Sequence, residues 1–317
     1  MTDEERLTTS IEQIFVYGDC QYTEWRIAAV RSIRKILLNL DDFYADLLPD
    51  LERNGEKRDL VHCQIRNGWL YEAVSQAEQA IEDLFSMMQN LNDKAYFAKN
   101  VIRYNAAKVK DYIWNFDVEN LEYICQQMKL PFFPLDEPWE IEEVFEGYKN
   151  AILLTQRFIK ELQGFHKKYY QDYCQYKHGL AVALTPMQNP LMKDDVKRRE
   201  SIMSEPLVGG LQTFHQGTVA QYEKRNGTLP AMSLLVTPKM QHIREMHDEG
   251  NLLYFTIHVL DVDEVVKFTE HACILYNIIW RNIKKNCQEK LGEPFAVVSF
   301  PTERLSTVCE IGFPKDE

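Results

Sequence analysis

Glycine and proline are scarce, at 13 and 12 in 317 residues. So few turn formers and helix breakers favour long helices over a loop-rich fold. Cysteine occurs seven times, an odd number, and never as Cys-x-x-Cys. Residues 1–6 have no apolar stretch of signal type, so the scattered cysteines read as reduced thiols and the expected location is cytoplasmic. No run of 18 or more apolar residues occurs, so no membrane span is expected. A basic surplus is missing as well: 36 Lys and Arg face 48 Asp and Glu, for a net charge of −12. That balance argues against gripping DNA non-specifically or lying on an anionic membrane. The chain also lacks Gly-x-x-x-x-Gly-Lys, Gly-x-Gly-x-x-Gly, Gly-x-Ser-x-Gly and His-Glu-x-x-His. These gaps disfavour standard NTPases, dinucleotide enzymes, hydrolases and zinc proteases, and no cofactor is expected.

What is present fits a globular chain with a full core: 45% hydrophobic, 26% charged, with 16 Tyr, 16 Phe and 5 Trp. Thr23 reads as the N-cap of a helix reaching to about residue 48, with Val30, Ile33, Leu37, Leu40, Tyr44 and Leu47 along one face. A second helix carries Leu70, Val74, Ala77, Ile81, Leu84, Met88 and Leu91. Glu72, Gln76, Gln79, Glu82 and Asp83 between them are expected to face water. Ile102, Ala106, Val109, Ile113 and Phe116 continue as a third helix or a bent extension. Residues 130–138 hold three prolines and form a rigid connector. A fourth long helix carries Ile141, Phe145, Tyr148, Ile152, Ile159 and Leu162, then Tyr169, Tyr170, Tyr173 and Tyr176. It leads through Lys177-His178-Gly179 into a short apolar helix ending before Pro186. Steps of three and four sustained over such lengths predict packed antiparallel helices.

Residues 186–210 read as a connector, with a solvated mixed-charge run over 193–200. Strands are expected over 231–237, 252–260 and 295–300. Asn226-Gly227 fits a hairpin turn. A strong helix lies between the second and third strands, opening on the cap-like Asp261-Val262-Asp263-Glu264. The expected fold is therefore mainly α: an antiparallel helical bundle over 1–185, a connector over 186–210, and a smaller α+β region over 211–317.

The most specific local feature is Tyr173-Cys174-Gln175-Tyr176-Lys177-His178-Gly179. Placed at a helix start, the Lys-His pair and Gly179 would meet free N–H groups and the positive end of the helix dipole, a setting for an anion. There His178 could move a proton during attack on a phosphodiester while Lys177 stabilised charge on phosphate. Tyr173 and Tyr176 could stack bases. Each has a plainer reading: His178 bonded to a neighbouring helix and the tyrosines packed in core or interface.

A helical bundle with Tyr-x-x-Tyr-Lys-His-Gly before its last helix resembles HEPN-like proteins, and in particular bacterial relatives bearing a Lys-His-Gly motif. The resemblance spans about residues 25–185. It implies a metal-independent ribonuclease of a defence or toxin–antitoxin system, acting as a dimer with two motifs facing each other. The family pattern places Arg four to six intervening residues before the His. Here Gln171, Asp172 and Tyr173 hold those positions, so only His178 carries over, with Lys177 as a substitute cation.

Other motifs say less. His242 and His247 are five apart, whereas helical metal pairs need three or four, so no metal site is expected. Three functional readings stand. The first is a non-catalytic interaction or regulatory protein that binds itself, as a homodimer, or a protein partner. The second is the ribonuclease or nucleotide-binding reading. The third makes the α+β part a small-ligand sensor.

Overall fold

The computed structural model describes residues 3–20, 23–47, 49, 58–92, 96–136, 139, 141–178, 181–184, 205–226, 231–235, 252–288, 295–303 and 308–314. The chain is mainly α-helical, with two small antiparallel sheets. The helices are α1 (Asp3–Asp19), α2 (Glu24–Leu38), α3 (Leu40–Phe43), α4 (Arg58–Leu91), α5 (Phe97–Ile102), α6 (Ala106–Trp114), α7 (Leu121–Met128) and α8 (Glu142–His178). Strand β1 (Val208–Gly217), α9 (Val219–Asn226), β2 (Ala231–Leu235), β3 (Leu252–Asp261), α10 (Val262–Gln288), β4 (Phe295–Pro301) and β5 (Val308–Pro314) follow. No described helix is long and apolar enough to cross a membrane.

Two compact units divide the chain, each built from separated stretches. One comprises Met1–Ile27, Gln79–Lys167 and Phe268–Glu317; the other comprises Ala28–Glu78 and Lys168–Lys267. Helices α2, α4, α8 and α10 each supply residues to both.

In the first unit, the expected apolar face of α4 is wholly buried at Ile81, Leu84, Met88 and Leu91. Each such side chain contributes about 1.5–3 kcal/mol on burial. The polar positions of the same helix depart from expectation. Glu82 here, and Gln76 on the stretch of α4 in the second unit, are buried rather than facing water. Buried polar groups need partners. Gln76 Nε2 donates to Glu72 Oε1 at 2.7 Å. Arg26 binds Asp83 Oδ2 through Nε and Nη2 at 3.0 and 2.7 Å, and Gln79 Oε1 through Nη1. The connector over 130–138 is held at its start. The Tyr148 hydroxyl accepts from Phe133 N–H and donates to the Pro131 carbonyl. Strand β4 is fixed to α10 by a reciprocal pair of bonds between Asn282 and the Ser299 backbone.

Two expectations about the first unit are corrected. The third apolar run is split into α5 and α6. The Asn105 side chain accepts from Lys108 N–H and starts a new helix, which resets the phase of the apolar stripe. Val109 and Ile113 stay buried, but Ile102 is 83% exposed and Ala106 is exposed too. Ile141, placed on the apolar face of the fourth helix, sits just before α8 and is 64% exposed.

In the second unit, β3 lies between β1 and β2 and pairs antiparallel with both. The register sets Thr213 opposite Thr256 and Leu211 opposite His258. Alternation then puts Leu211, Thr213, His215, Tyr254, Thr256 and His258 on one face. His215 Nε2 meets Thr256 Oγ1 at 2.7 Å on that face.

Four expectations here are also corrected. The helix from Thr23 stops at Leu38, because the Asn39 side chain bonds the Lys35 carbonyl and α3 begins anew. Leu47 is exposed. The short apolar helix after His178 is absent. Val182 instead forms an antiparallel bridge to Thr213, with Ala183 N–H on the Gln212 carbonyl and Phe214 N–H on the Ala181 carbonyl. The stretch read as connector to residue 210 already contains the start of β1, held where Arg66 Nη2 donates to the Glu205 and Val208 carbonyls. Asn226 ends α9 rather than opening a hairpin, since β1 and β2 both pair with β3. Gly227 and the charged run over 193–200 lie outside the described residues.

The strands expected near 231, 252 and 295 are present as β2, β3 and β4. The cap is present too: Asp261 Oδ1 accepts from Asp263 N–H at 2.9 Å at the start of α10.

Candidate functional site

Lys177 and His178 occupy the last turn of α8, and both are exposed. This corrects the placement that favoured an anion. A helix C-terminus presents free carbonyls and the negative end of the dipole, which attracts cations and repels phosphate. The pair therefore complements the helix end it stands on. Tyr173 is buried, with Lys177 Nζ 5.5 Å from its ring centroid. Tyr176 stacks on Tyr71, centroids 5.1 Å apart and planes 13° from parallel. One face of that ring is thus covered. Gly179, His242 and His247 lie outside the described residues. Among the described residues, no group of three or more His, Cys, Asp or Glu could hold a metal ion.

The same helix carries a different cluster, one turn back. Asp172 is fully buried, on the face of α8 that also presents Tyr169, Tyr173 and Tyr176. Thr213 Oγ1 donates to Asp172 Oδ1 at 2.5 Å. His258 Nδ1 approaches Asp172 Oδ2 to 2.6 Å. The approach falls outside hydrogen-bond geometry and is a close polar contact. Tyr71 donates to the Gln212 carbonyl at 2.6 Å and reaches Thr213 Oγ1 at 3.4 Å. Burial, and then the Asp172 carboxylate, push the Tyr71 phenol well above its ordinary value and keep it a donor. Tyr169 donates to the Val259 carbonyl, and its ring lies edge-on to His258 with centroids 6.2 Å apart.

A carboxylate holding one imidazole nitrogen can prepare the other to accept a proton. The His258 side chain keeps 13% of its surface exposed. The same contacts also tie α8 to β1 and β3, which is what a satisfied polar core does. Sequence reasoning missed this cluster. Its signal was a single carboxylate among tyrosines at helical spacing, and a histidine alternating with Thr256 and Tyr254 in a strand.

The first unit offers two surfaces rather than a buried site. At the join of α5 and α6, Ile102 and Tyr104 are exposed, with Tyr96 and Trp114 at the outer ends of the segment. Lys99, Arg103, Lys108 and Lys110 lie in the same stretch, against the single acid Asp111. Lys99 Nζ lies 5.5 Å from the Tyr96 centroid, and Lys110 Nζ lies 5.0 Å from that of Trp114. The second surface is an open groove of about 530 Å³ along α8, facing Pro301, Thr302 and Cys309. Gly147, Ala151, Leu153 and Leu154 line it from α8. The Gly147 position has open space where a Cβ would stand. Arg157 and Glu303, both in the lining, are joined by two hydrogen bonds of 2.8 Å. Burial raises the Cys309 thiol, which keeps it protonated rather than reactive.

Set against known proteins, the chain matches no family model, no curated protein and no solved structure.

Proposed function

We propose that this chain is a non-catalytic interaction protein that works through the surface around the α5–α6 join. The observation that carries the reading is Ile102, a large aliphatic side chain left 83% exposed beside exposed Tyr104. Ile102 is the most exposed of the large apolar side chains described in the chain. Scattered exposed apolar residues are ordinary, but several within one short segment rimmed by cations have the character of an interface. The ribonuclease reading, which rests on the HEPN-like resemblance, gains nothing from a Lys-His pair at the carbonyl end of a helix.

The test compares three forms of the full chain, tagged and purified from the cells that make it: wild type, His178→Ala and Ile102→Asp. Wild type and His178→Ala are expected to retain the same companion in fixed ratio, whether another protein or untagged copies. Ile102→Asp, with an unchanged circular dichroism spectrum, is expected to lose at least ~10-fold of it, as removal of a central apolar anchor does. Identical recovery with Ile102→Asp, or loss only with His178→Ala, would overturn the proposal.

A further inference from the structure

The two surfaces of the first unit have opposite charge and similar apolar character. The segment around the α5–α6 join holds four cations against one carboxylate. The start of α8 exposes Glu142, Glu143 and Glu146, of which Glu146 lies 3.7 Å from Lys149, and it exposes Ile141 and Leu153. The groove runs on from this acidic start along the same helix.

We infer that the groove along α8 of one copy receives the α5–α6 join of a second copy, the acids at its mouth meeting Arg103 and Lys108. The inference rests on the interaction reading above and names the partner. Charge complementarity selects a second copy: one chain carries both the basic, apolar projection and the acidic, apolar recess. Within one copy the two do not meet at the acidic start. The end of α6 docks further along α8, where Gln163 Nε2 donates to the Ile113 and Phe116 carbonyls. Gln156 Nε2 similarly takes the Val118 carbonyl. Those positions lie at least about four turns, or about 21 Å, beyond Glu142. Single-stranded nucleic acid is the weaker occupant for the basic segment. Lysines already lie over the Tyr96 and Trp114 rings, and the most exposed apolar group is aliphatic and offers no ring for stacking.

Such a contact joins two different patches, so it is heterologous and adds copies head to tail, ending in a ring or an open chain. Sedimentation velocity on the full chain tests it. The mass of the wild type is expected to rise with concentration above the 37.3 kDa of one chain, and to fall back as salt is raised. Glu143→Lys with Glu146→Lys removes one half of the contact; Arg103→Glu with Lys108→Glu removes the other. Each double variant alone is expected to stay at the mass of one chain. Mixed together they are expected to restore assembly above that mass, because each variant complements the charge the other reversed.

A wild type that stays monomeric at every concentration overturns the second copy as partner. So does self-association that both double variants retain, or a mixture that stays monomeric. The interaction reading fails separately, when purification from cells recovers the same companions with wild type and Ile102→Asp. A monomer that loses a different protein on Ile102→Asp would overturn the second copy alone.

Discussion

Replacing Asp172 with alanine is expected to lower the unfolding free energy by about 1–3 kcal/mol for each buried polar group that loses its partner. Asp172 is fully buried and faces His258 Nδ1 at 2.6 Å and the Thr213 hydroxyl at 2.5 Å. Alanine would leave the Thr213 hydroxyl without its acceptor, remove the His258 contact and open a void beneath the sheet. Asp172→Asn keeps the volume and one acceptor oxygen, so it should cost less. Urea melts of Asp172→Ala, His258→Ala and the double variant measure this. Groups in direct contact couple by about 0.5–3 kcal/mol, so the double variant should lose less than the two single losses together. Strict additivity would mean that the pair contributes nothing as a pair.

A second large effect is expected on acidification. His166 is fully buried in the first unit. Burial, then the charges of Lys110 and Lys167, pull its imidazole down from 6.5 to about 3. Above pH 6.5 the ring is neutral in folded and unfolded chains alike, and the site is neutral towards stability. Below 6.5 the unfolded chain takes up a proton that the folded one refuses, and about 1.4 kcal/mol is lost for each pH unit until about pH 3. From pH 6.5 to 4.5 the loss is about 3 kcal/mol. Unfolding of wild type and His166→Gln should therefore diverge over that range, the wild type falling more steeply. Parallel curves would show that His166 is not held neutral. The comparison reads a slope, so it is unaffected if glutamine itself lowers stability at neutral pH.

Much of the fold is legible from spacing alone. Leu70, Val74, Ala77, Ile81, Leu84, Met88 and Leu91 recur every three or four residues, and all are buried on α4. That rule works because α-helical geometry is local. It fails where a side chain resets the geometry. Asn105 caps a new helix and moves Ile102 from an expected core position to the surface. Asn39 instead closes α2, its side chain donating to the Lys35 carbonyl before α3 begins. It fails again where one element is enclosed on nearly all sides, as at Gln76 and Glu82, because amphipathic reasoning assumes a wet face. Residues 181–183 pair with β1, a partner some 30 positions away that no local pattern encodes.

The candidate sites followed the same divide. Lys177 and His178 formed a visible motif, but its meaning depended on which end of a helix it occupied. A residue string does not give that when the next segment is misread as helix. Asp172, Thr213 and His258 come together through register and packing, across separations of 41 and 86 positions that leave no contiguous signature. The surface around Ile102 was hidden for the opposite reason. Its apolar residues fitted a helical stripe, and only the break at Asn105 exposes them.

The most direct measurement is complementation. Cells deprived of this chain would receive wild type, His178→Ala, or Ile102→Asp with Arg103→Glu, each expressed at the same level, and be scored for whatever growth or survival defect the loss causes. If the surface around the α5–α6 join does the work, His178→Ala restores the cells as well as wild type does, and the Ile102 and Arg103 variant does not. Restoration by the surface variant together with failure of His178→Ala would contradict that account and return the Lys-His pair to the centre of the function.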